Sequence, residues 1–196
     1  MTYEIDIAGL KRQLPLCPLN DELSIGAFVI FGDVELTVHC AAELLKIAPD
    51  YDFIIAPEAK AIPLAYEMAR QSGENRYFVA RKKAKAYMQG VFSVEVQSIT
   101  TAGTQTLVID EADAEAIRGK RVIILDDVIS TGESLRAMEV LCEKAGAEVV
   151  GKMAVLAEGD AAKREDIIVL APLPLFNADG TPIDRSEEHT SELQSQ

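Results

Sequence analysis

Two adjacent carboxylates and a turn rich in hydroxyl groups are the residues of this sequence best suited to chemistry. Asp126 and Asp127 follow the apolar run Val122–Leu125. Shortly after them comes a small polar turn made of Ser130, Thr131, Gly132, Glu133 and Ser134. The backbone N–H groups and hydroxyls of such a turn, together with a helix N-terminus, would bind a phosphate. Carboxylates accept strong hydrogen bonds, which suits the hydroxyls of a sugar attached to that phosphate. An ordinary strand–turn–helix with a capped helix start fits the same short pattern.

Two other polar segments also follow buried apolar runs. After Phe53–Ala56 comes Pro57 and then a small loop made of Glu58, Ala59, Lys60 and Ala61. After Tyr77–Ala80 comes a dense basic cluster, Arg81-Lys82-Lys83-Ala84-Lys85. Taken alone, the first is a capped helix start with an exposed lysine, and the second is a solvated charged face. In an open α/β sheet, however, ligands bind where strands end, which is where both segments lie.

The elements that must position these residues alternate along the chain. Helical spacing of apolar residues predicts helices over 34–47, 62–72 and 134–145, the last with Gly146 as C-cap. Short apolar runs predict buried strands at 53–56, 77–80, 122–125, 149–156 and 167–170. Alternating residues over 91–99 and a second run at 106–109 predict a hairpin with one wet face. Strands alternating with helices indicate an α/β fold with a mostly parallel sheet flanked by helices.

Composition excludes several classes of protein. The chain has 196 residues, of which 48% are hydrophobic and 26% charged, with a formal net charge of −13. Such an acidic surface disfavours nucleic acid and anionic lipid as partners, and no apolar run approaches the roughly 18 residues of a membrane span. The three cysteines are Cys17, Cys40 and Cys142. Their scatter predicts buried thiols in a reducing compartment, the cytoplasm, and no residues have the spacing of a protein-held metal site.

The last twelve residues differ from the rest. Residues 185–196 are almost wholly polar and show neither helical nor strand periodicity. They fit a disordered tail, and the string is also similar to a translated sequencing adapter, which would make it an artefact. We therefore assign the fold to a single domain over 1–184. His39 is then the one histidine available to a catalytic scheme.

The run Val122–Ser134 closely resembles the phosphoribosyl pyrophosphate (PRPP) signature of the type I phosphoribosyltransferases. The resemblance implies that fold, with a flexible β-hairpin lid and a small hood. It also implies that Asp126 and Asp127 bind the ribose hydroxyls, and that Ser130, Thr131, Gly132, Glu133 and Ser134 surround the 5′-phosphate. The family often has Gly where this chain has Glu133.

The other two segments are similar to further parts of the same family. Glu58, Ala59, Lys60 and Ala61 resemble its pyrophosphate loop, which often contains a cis non-proline bond; here that would be Glu58–Ala59 or Ala59–Lys60. Arg81, Lys82 and Lys85 would supply cations to the pyrophosphate leaving group, with Arg81 and Lys85 counted with the two aspartates as catalytic. The hairpin from about Met88 to Asp110 would be the lid. The resemblance also implies Mg²⁺ as cofactor.

The acceptor base is the least determined part of the expectation. Apolar segments at about 12–32 and 171–183 resemble the family's base-covering hood. The order of segments is most similar to the adenine phosphoribosyltransferases, which act in purine salvage as cytoplasmic enzymes, and we expect a homodimer. Those enzymes carry Glu-Tyr-Gly in the lid, where this chain has Thr101-Ala102-Gly103. Xanthine, hypoxanthine or guanine therefore remain alternative bases, as does a non-catalytic PRPP- or purine-sensing regulator.

Overall fold

The computed structural model describes residues 1–97 and 104–183, and within them the strands and helices are as follows. The strands are β1 (Thr2–Ile7), β2 (Leu10–Pro18), β3 (Leu23–Gly26), β4 (Phe53–Pro57), β5 (Phe78–Ala80), β6 (Val91–Gln97), β7 (Thr104–Asp110), β8 (Arg121–Ile129), β9 (Glu148–Glu158), β10 (Ile168–Leu173) and β11 (Leu175–Asn177). The helices are α1 (Val34–Ile47), α2 (Ile62–Ser72), α3 (Glu111–Ile117) and α4 (Glu133–Ala145), with a 3₁₀ helix at Gly159–Lys163.

A five-stranded parallel sheet forms the centre of the molecule, in the order β10-β9-β8-β4-β5. Its strands are apolar because helices cover both faces. On β8, Ile123 and Leu125 pack into the core cluster that contains α1 and α2. Val122 and Ile124 pack into the cluster that contains α3, α4 and the β6–β7 hairpin. The predicted parallel α/β sheet with flanking helices is confirmed.

The boundaries of two central strands differ from the prediction. Strand β8 was expected to end at Leu125 but runs to Ile129, because it continues to pair with β9 through Asp126↔Ala154 and Ile129↔Ala157. Both aspartates therefore belong to the strand and have a backbone held by the sheet. Strand β10 runs to Leu173, which pairs with Glu158. The first residues assigned to the hood, from 171 to 173, thus belong to the central sheet.

A small antiparallel sheet in the order β1-β2-β3-β11 joins the N-terminal segment to the chain after β10. It includes parts of both segments predicted as the hood, and also β1, which was not assigned to it. The sheet lies near the carboxyl end of β9, because a Cβ on Gly159 would be 3.1 Å from Leu175 Cδ1.

Cys17 on β2 is exposed, against the prediction, because it faces away from the core; Cys40 and Cys142 are buried.

The β6–β7 hairpin is antiparallel over Val91–Gln97 and Thr104–Asp110, as predicted. Val94, Val96, Leu107 and Ile109 of this hairpin are buried in the α4-side core. Helix α3 follows directly and was not predicted; its N-cap is Asp110, whose carboxylate accepts a hydrogen bond from Ala112 N at 3.0 Å. The segment Thr101-Ala102-Gly103 and the tail 185–196 lie outside the described residues.

Candidate active site

A cleft of about 550 Å³ opens at the carboxyl ends of the central strands. Its lining brings together seven of the predicted site residues, Glu58, Ala59, Lys60, Lys82, Asp126, Asp127 and Ser134. It also includes Lys83 and the start of β7, Thr104–Leu107. The remaining predicted residues lie outside this lining, namely Ala61, Arg81, Lys85, Ser130, Thr131, Gly132 and Glu133. The cleft thus combines carboxylates, lysines and a helix start in one place.

The loop after β4 is held on both sides of an unusual peptide bond. The Glu58–Ala59 bond is cis, at one of the two positions named from the sequence. Glu58 N donates to Ala80 O at 2.8 Å, and Ile62 N donates to Ala59 O at 3.2 Å. Ala61 is fully buried and precedes α2, where Pro63 occupies the first turn. The sheet and the helix therefore position this loop from either end.

The two aspartates differ in their surroundings. Asp127 is 3% exposed, and Lys60 Nζ lies 3.1 Å from its Oδ2. This approach is close enough for an ion pair, but its angle leaves Oδ2 without a hydrogen bond to any described residue. Asp126 Oδ1 accepts a hydrogen bond from Asp127 N at 2.8 Å. Burial, and then the negative charge of Asp127, raise the pKa of Asp126 to about 7.

The turn after β8 leads directly into the N-terminus of α4. Ser130 and Thr131 are exposed, and Thr131 Oγ1 accepts a weak hydrogen bond from Glu133 N at 3.4 Å. Gly132 is the N-cap residue and has φ +80°, a left-handed conformation that favours glycine. Helix α4 packs through Leu135 and Met138, so its first turn is fixed against the sheet. The turn predicted to bind phosphate therefore lies between the end of β8 and the start of α4.

The basic segment after β5 is tied to the loop after β4 by Glu58. Arg81 Nη1 donates to Glu58 Oε2 at 3.2 Å, and Lys82 N donates to Glu58 Oε1 at 2.9 Å. The Lys82 N–H, followed by the charges of Lys85 and Arg81, holds the pKa of Glu58 below its usual value. Arg81 also exchanges backbone hydrogen bonds with Val108 of β7. Arg81 is thus occupied by structural contacts, whereas Lys82 and Lys83 face the cleft.

Several groups near the cleft were missed by the sequence analysis. Lys83 lines the cleft and belongs to the basic cluster 81–85, so the sequence does contain a signal that points to it. Gln105 and Thr106 reach the cleft because β7 pairs with Arg81, a long-range contact with no local signal. Glu158 at the carboxyl end of β9 is half-buried, and burial raises its pKa. Within the described chain, no group of three or more His, Cys, Asp or Glu side chains could hold a metal ion alone.

Comparison with known proteins decides the family. The family model described as "Phosphoribosyl transferase domain" matches residues 38–173. The chain belongs to this family. It is 31% identical to the adenine phosphoribosyltransferase of Thermosipho africanus over 186 residues, covering 85% of this chain and 98% of the relative. It is also 35% identical over 115 residues to the hypoxanthine/guanine phosphoribosyltransferase of Methanococcus voltae, covering 59% and 57%.

The solved structure of adenine phosphoribosyltransferase from Thermoanaerobacter pseudethanolicus shares the fold. Its TM-score is 0.66 at 23% identity, covering 81% of this chain and 95% of that one. The predicted type I phosphoribosyltransferase fold is thereby confirmed, and the family match confirms the class of glycosyltransferase-type enzymes.

None of the helices within residues 1–97 and 104–183 is long and apolar enough to cross a membrane.

Proposed function

We propose that this phosphoribosyltransferase transfers the 5-phosphoribosyl group from PRPP to a purine base, with adenine favoured, and releases pyrophosphate. The observation that carries the proposal is the cleft between β4 and β8. One wall holds Glu58–Lys60 and Lys82, and the other holds Asp126, Asp127 and Ser134. Cations suit the pyrophosphate of PRPP, carboxylates suit its ribose hydroxyls, and helix N–H groups suit its 5′-phosphate.

The reaction needs positioning and charge stabilisation more than covalent chemistry from the protein. A ring nitrogen of the base bonds to ribose C1 while the bond from C1 to the pyrophosphate oxygen breaks. The pyrophosphate leaves with that electron pair, and the base loses its nitrogen-bound proton. Lys60, Lys82 and Lys83 lie where they would offset the growing charge on the leaving group. Lys60 must then leave Asp127, whose carboxylate becomes available to the ribose hydroxyls.

Magnesium fits this site as a substrate-bound ion. Mg²⁺ keeps several waters and binds few carboxylates, and its other ligands are substrate phosphates. The Asp126–Asp127 pair offers two carboxylates, one with an oxygen that makes no hydrogen bond to a described residue. Asp126 and Asp127 are the residues that would hold the ion, and Mg²⁺ would supply positive charge that offsets the negative charge of the pyrophosphate leaving group.

The choice of base rests on relatives rather than on geometry. Adenine is favoured because a relative that matches this chain over 186 residues carries that name. Hypoxanthine, guanine or xanthine stay possible because the lid stretch Thr101-Ala102-Gly103 lacks the adenine-type Glu. The predicted cytoplasmic location and the absence of a nucleic acid partner remain predictions from composition.

The experiment that tests the proposal measures pyrophosphate release from PRPP and Mg²⁺ with adenine, hypoxanthine, guanine and xanthine in parallel. We expect turnover with at least one base and the highest kcat/KM with adenine. Turnover with a 6-oxopurine alone would replace adenine by that base. PRPP binding without turnover on any base would favour a sensing regulator over an enzyme.

We also propose a homodimer. A groove of about 410 Å³ between α1 and the start of α2 is lined mainly by apolar side chains. Val34 at its edge is 74% exposed, and Tyr66 is 56% exposed. An exposed apolar groove of this kind suits a self-complementary interface with a second copy of the chain.

A further inference from the structure

An arginine from outside the recognised motif lies against the phosphate-binding turn. Arg164 follows the 3₁₀ helix Gly159–Lys163, which begins where β9 ends. A Cβ on Gly132 would be only 2.6 Å from Arg164 Nη1 and 3.9 Å from Cζ. The end of the guanidinium group therefore lies directly against Gly132, whose positive φ favours glycine at this point.

Ion pairs fix the orientation of this guanidinium group. Arg164 donates from Nε to Asp166 Oδ1 at 2.9 Å and from Nη2 to Asp166 Oδ2 at 2.7 Å. Asp166 also accepts from Lys152 Nζ at 2.5 Å, and Lys152 reaches Glu139 of α4 at 3.0 Å. These contacts hold the pKa of Asp166 well below its usual range, so the pair with Arg164 persists at neutral pH. Helix α4 therefore helps to hold the Arg164 guanidinium group in place, and the N-terminus of the same helix forms part of the turn.

The bidentate pair leaves one nitrogen available. Nη1 has no hydrogen-bond acceptor among residues 1–97 and 104–183, although it lies closest to the turn. The turn itself contains no basic residue and does contain Glu133. Without a residue from elsewhere, a bound phosphate dianion would be held by the hydroxyls and N–H groups of the turn and by no positively charged side chain of the turn. A positively charged donor beside Gly132 supplies what the turn lacks.

We propose that Arg164 is a phosphate-binding residue of this site, donating from Nη1 to the phosphate group held by the Ser130–Ser134 turn. The inference rests on the proposed function, because it takes the phosphate to be the 5′-phosphate of PRPP. The alternative is that Arg164 only packs against Gly132 and supports the turn. The two roles differ in which ligand loses affinity when the charge is removed.

The test compares Arg164→Gln with the matched control Lys163→Gln, whose lysine is exposed and forms an ion pair with Asp160. Calorimetry would measure binding of ribose 5-phosphate, which carries only the 5′-phosphate, and of magnesium pyrophosphate, which carries only the other end. We expect Arg164→Gln to weaken ribose 5-phosphate binding about 10-fold or more. Pyrophosphate binding should change less than twofold, and Arg164→Lys should restore part of the loss.

The outcomes separate this proposal from the proposed function. Unchanged ribose 5-phosphate affinity in Arg164→Gln would overturn the role of Arg164 and leave the proposed function standing. Equal losses for both ligands, with a lowered Tm, would overturn it in favour of structural support. A wild-type protein that binds neither ribose 5-phosphate nor PRPP would overturn the proposed function and this inference with it.

Discussion

At the scale of single residues, the candidate site sets two neighbouring carboxylates in different environments. Asp127 is buried beside Lys60, whereas Asp126 is half-buried and accepts a hydrogen bond from the backbone N–H of Asp127. Their mutual repulsion and burial favour a protonated Asp126 near neutral pH in the free protein. A cationic ligand or metal would favour its ionised form. The Asp126 carboxyl group therefore lowers the free energy of unfolding of the protein when no ligand is bound.

That cost predicts that Asp126→Asn stabilises the free protein in a pH-dependent way. The unfolded pKa of Asp is about 3.9, so above pH 7 the carboxyl is ionised in both states and the folded state bears the burial cost. Below about pH 3 it is neutral in both states, and the cost disappears. We expect Asp126→Asn to raise the free energy of unfolding by about 1–3 kcal/mol at pH 8, with no change near pH 3.

Thermal and urea unfolding at both pH values would measure this effect. Asp21→Asn is the control, because Asp21 lies exposed in the β2–β3 connection. A variant that is no more stable than wild type at pH 8 would show that Asp126 bears no such burial cost.

The neighbouring residue supports a prediction about affinity. If Asp127 binds a ribose hydroxyl, Asp127→Asn should weaken PRPP binding by about 1–3 kcal/mol, through loss of a charged hydrogen bond. Titration calorimetry with PRPP and Mg²⁺ would measure it, again with Asp21→Asn alongside. Unchanged binding and kinetics in Asp127→Asn would remove Asp127 from the site.

At the scale of elements, the β6–β7 hairpin is packed into the core and also reaches the cleft. Ile109 is fully buried against the α4 side of the sheet, while Val91 on the paired strand is 50% exposed. Strand β7 reaches the cleft through Thr104–Leu107. The two strands of the predicted lid are thus anchored in the core.

We expect the hairpin base to contribute strongly to stability. Ile109→Ala should lower the free energy of unfolding by about 2–4 kcal/mol, because it removes buried methyl groups and leaves a cavity. Val91→Ala on the same hairpin is the matched control and should change it by no more than about 0.5 kcal/mol. Chemical denaturation of both variants would measure the difference. Equal small effects would mean that the hairpin is not packed into the core.

At the scale of the whole molecule, a strongly acidic chain still exposes an apolar groove beside α1 and α2. The formal net charge of −13 opposes association, so an interface here must depend on apolar contact. Val34 and Tyr66 are the exposed side chains that would contribute most to it.

The proposed dimer can be tested by light scattering coupled to size-exclusion chromatography. We expect wild type to have twice the mass of the chain, and Val34→Glu to shift the equilibrium toward the monomer because it places a charge in the apolar contact. Leu19→Glu is the control, since Leu19 is also exposed and is not among the residues that line this groove. A monomeric wild type would contradict the proposal, and dissociation by both variants would contradict this choice of surface.

Local sequence patterns were sufficient for most of the central fold. Buried strands and amphipathic helices follow from residue periodicity, so the parallel sheet, α1, α2 and α4 were predicted close to their observed bounds. The Asp126–Ser134 motif likewise identified the family, because it combines a strand end, two acids and a helix start within one continuous segment. Helix α3 was missed because it is short, and the N-terminal strands were missed because they are only partly buried, which weakens the periodic signal.

Tertiary structure alone decided which of these residues meet. Adjacent pairing of β4 with β8 brings Lys60 to Asp127, and pairing of Arg81 with Val108 brings β7 to the cleft. Likewise, Arg164, which follows the 3₁₀ helix after β9, lies beside Gly132 before α4 only in the folded chain. These contacts join residues far apart in the chain, and their energies depend on distance and burial, which local sequence patterns do not encode. The sequence determined the elements and the motif, and the packing of the sheet determined the site.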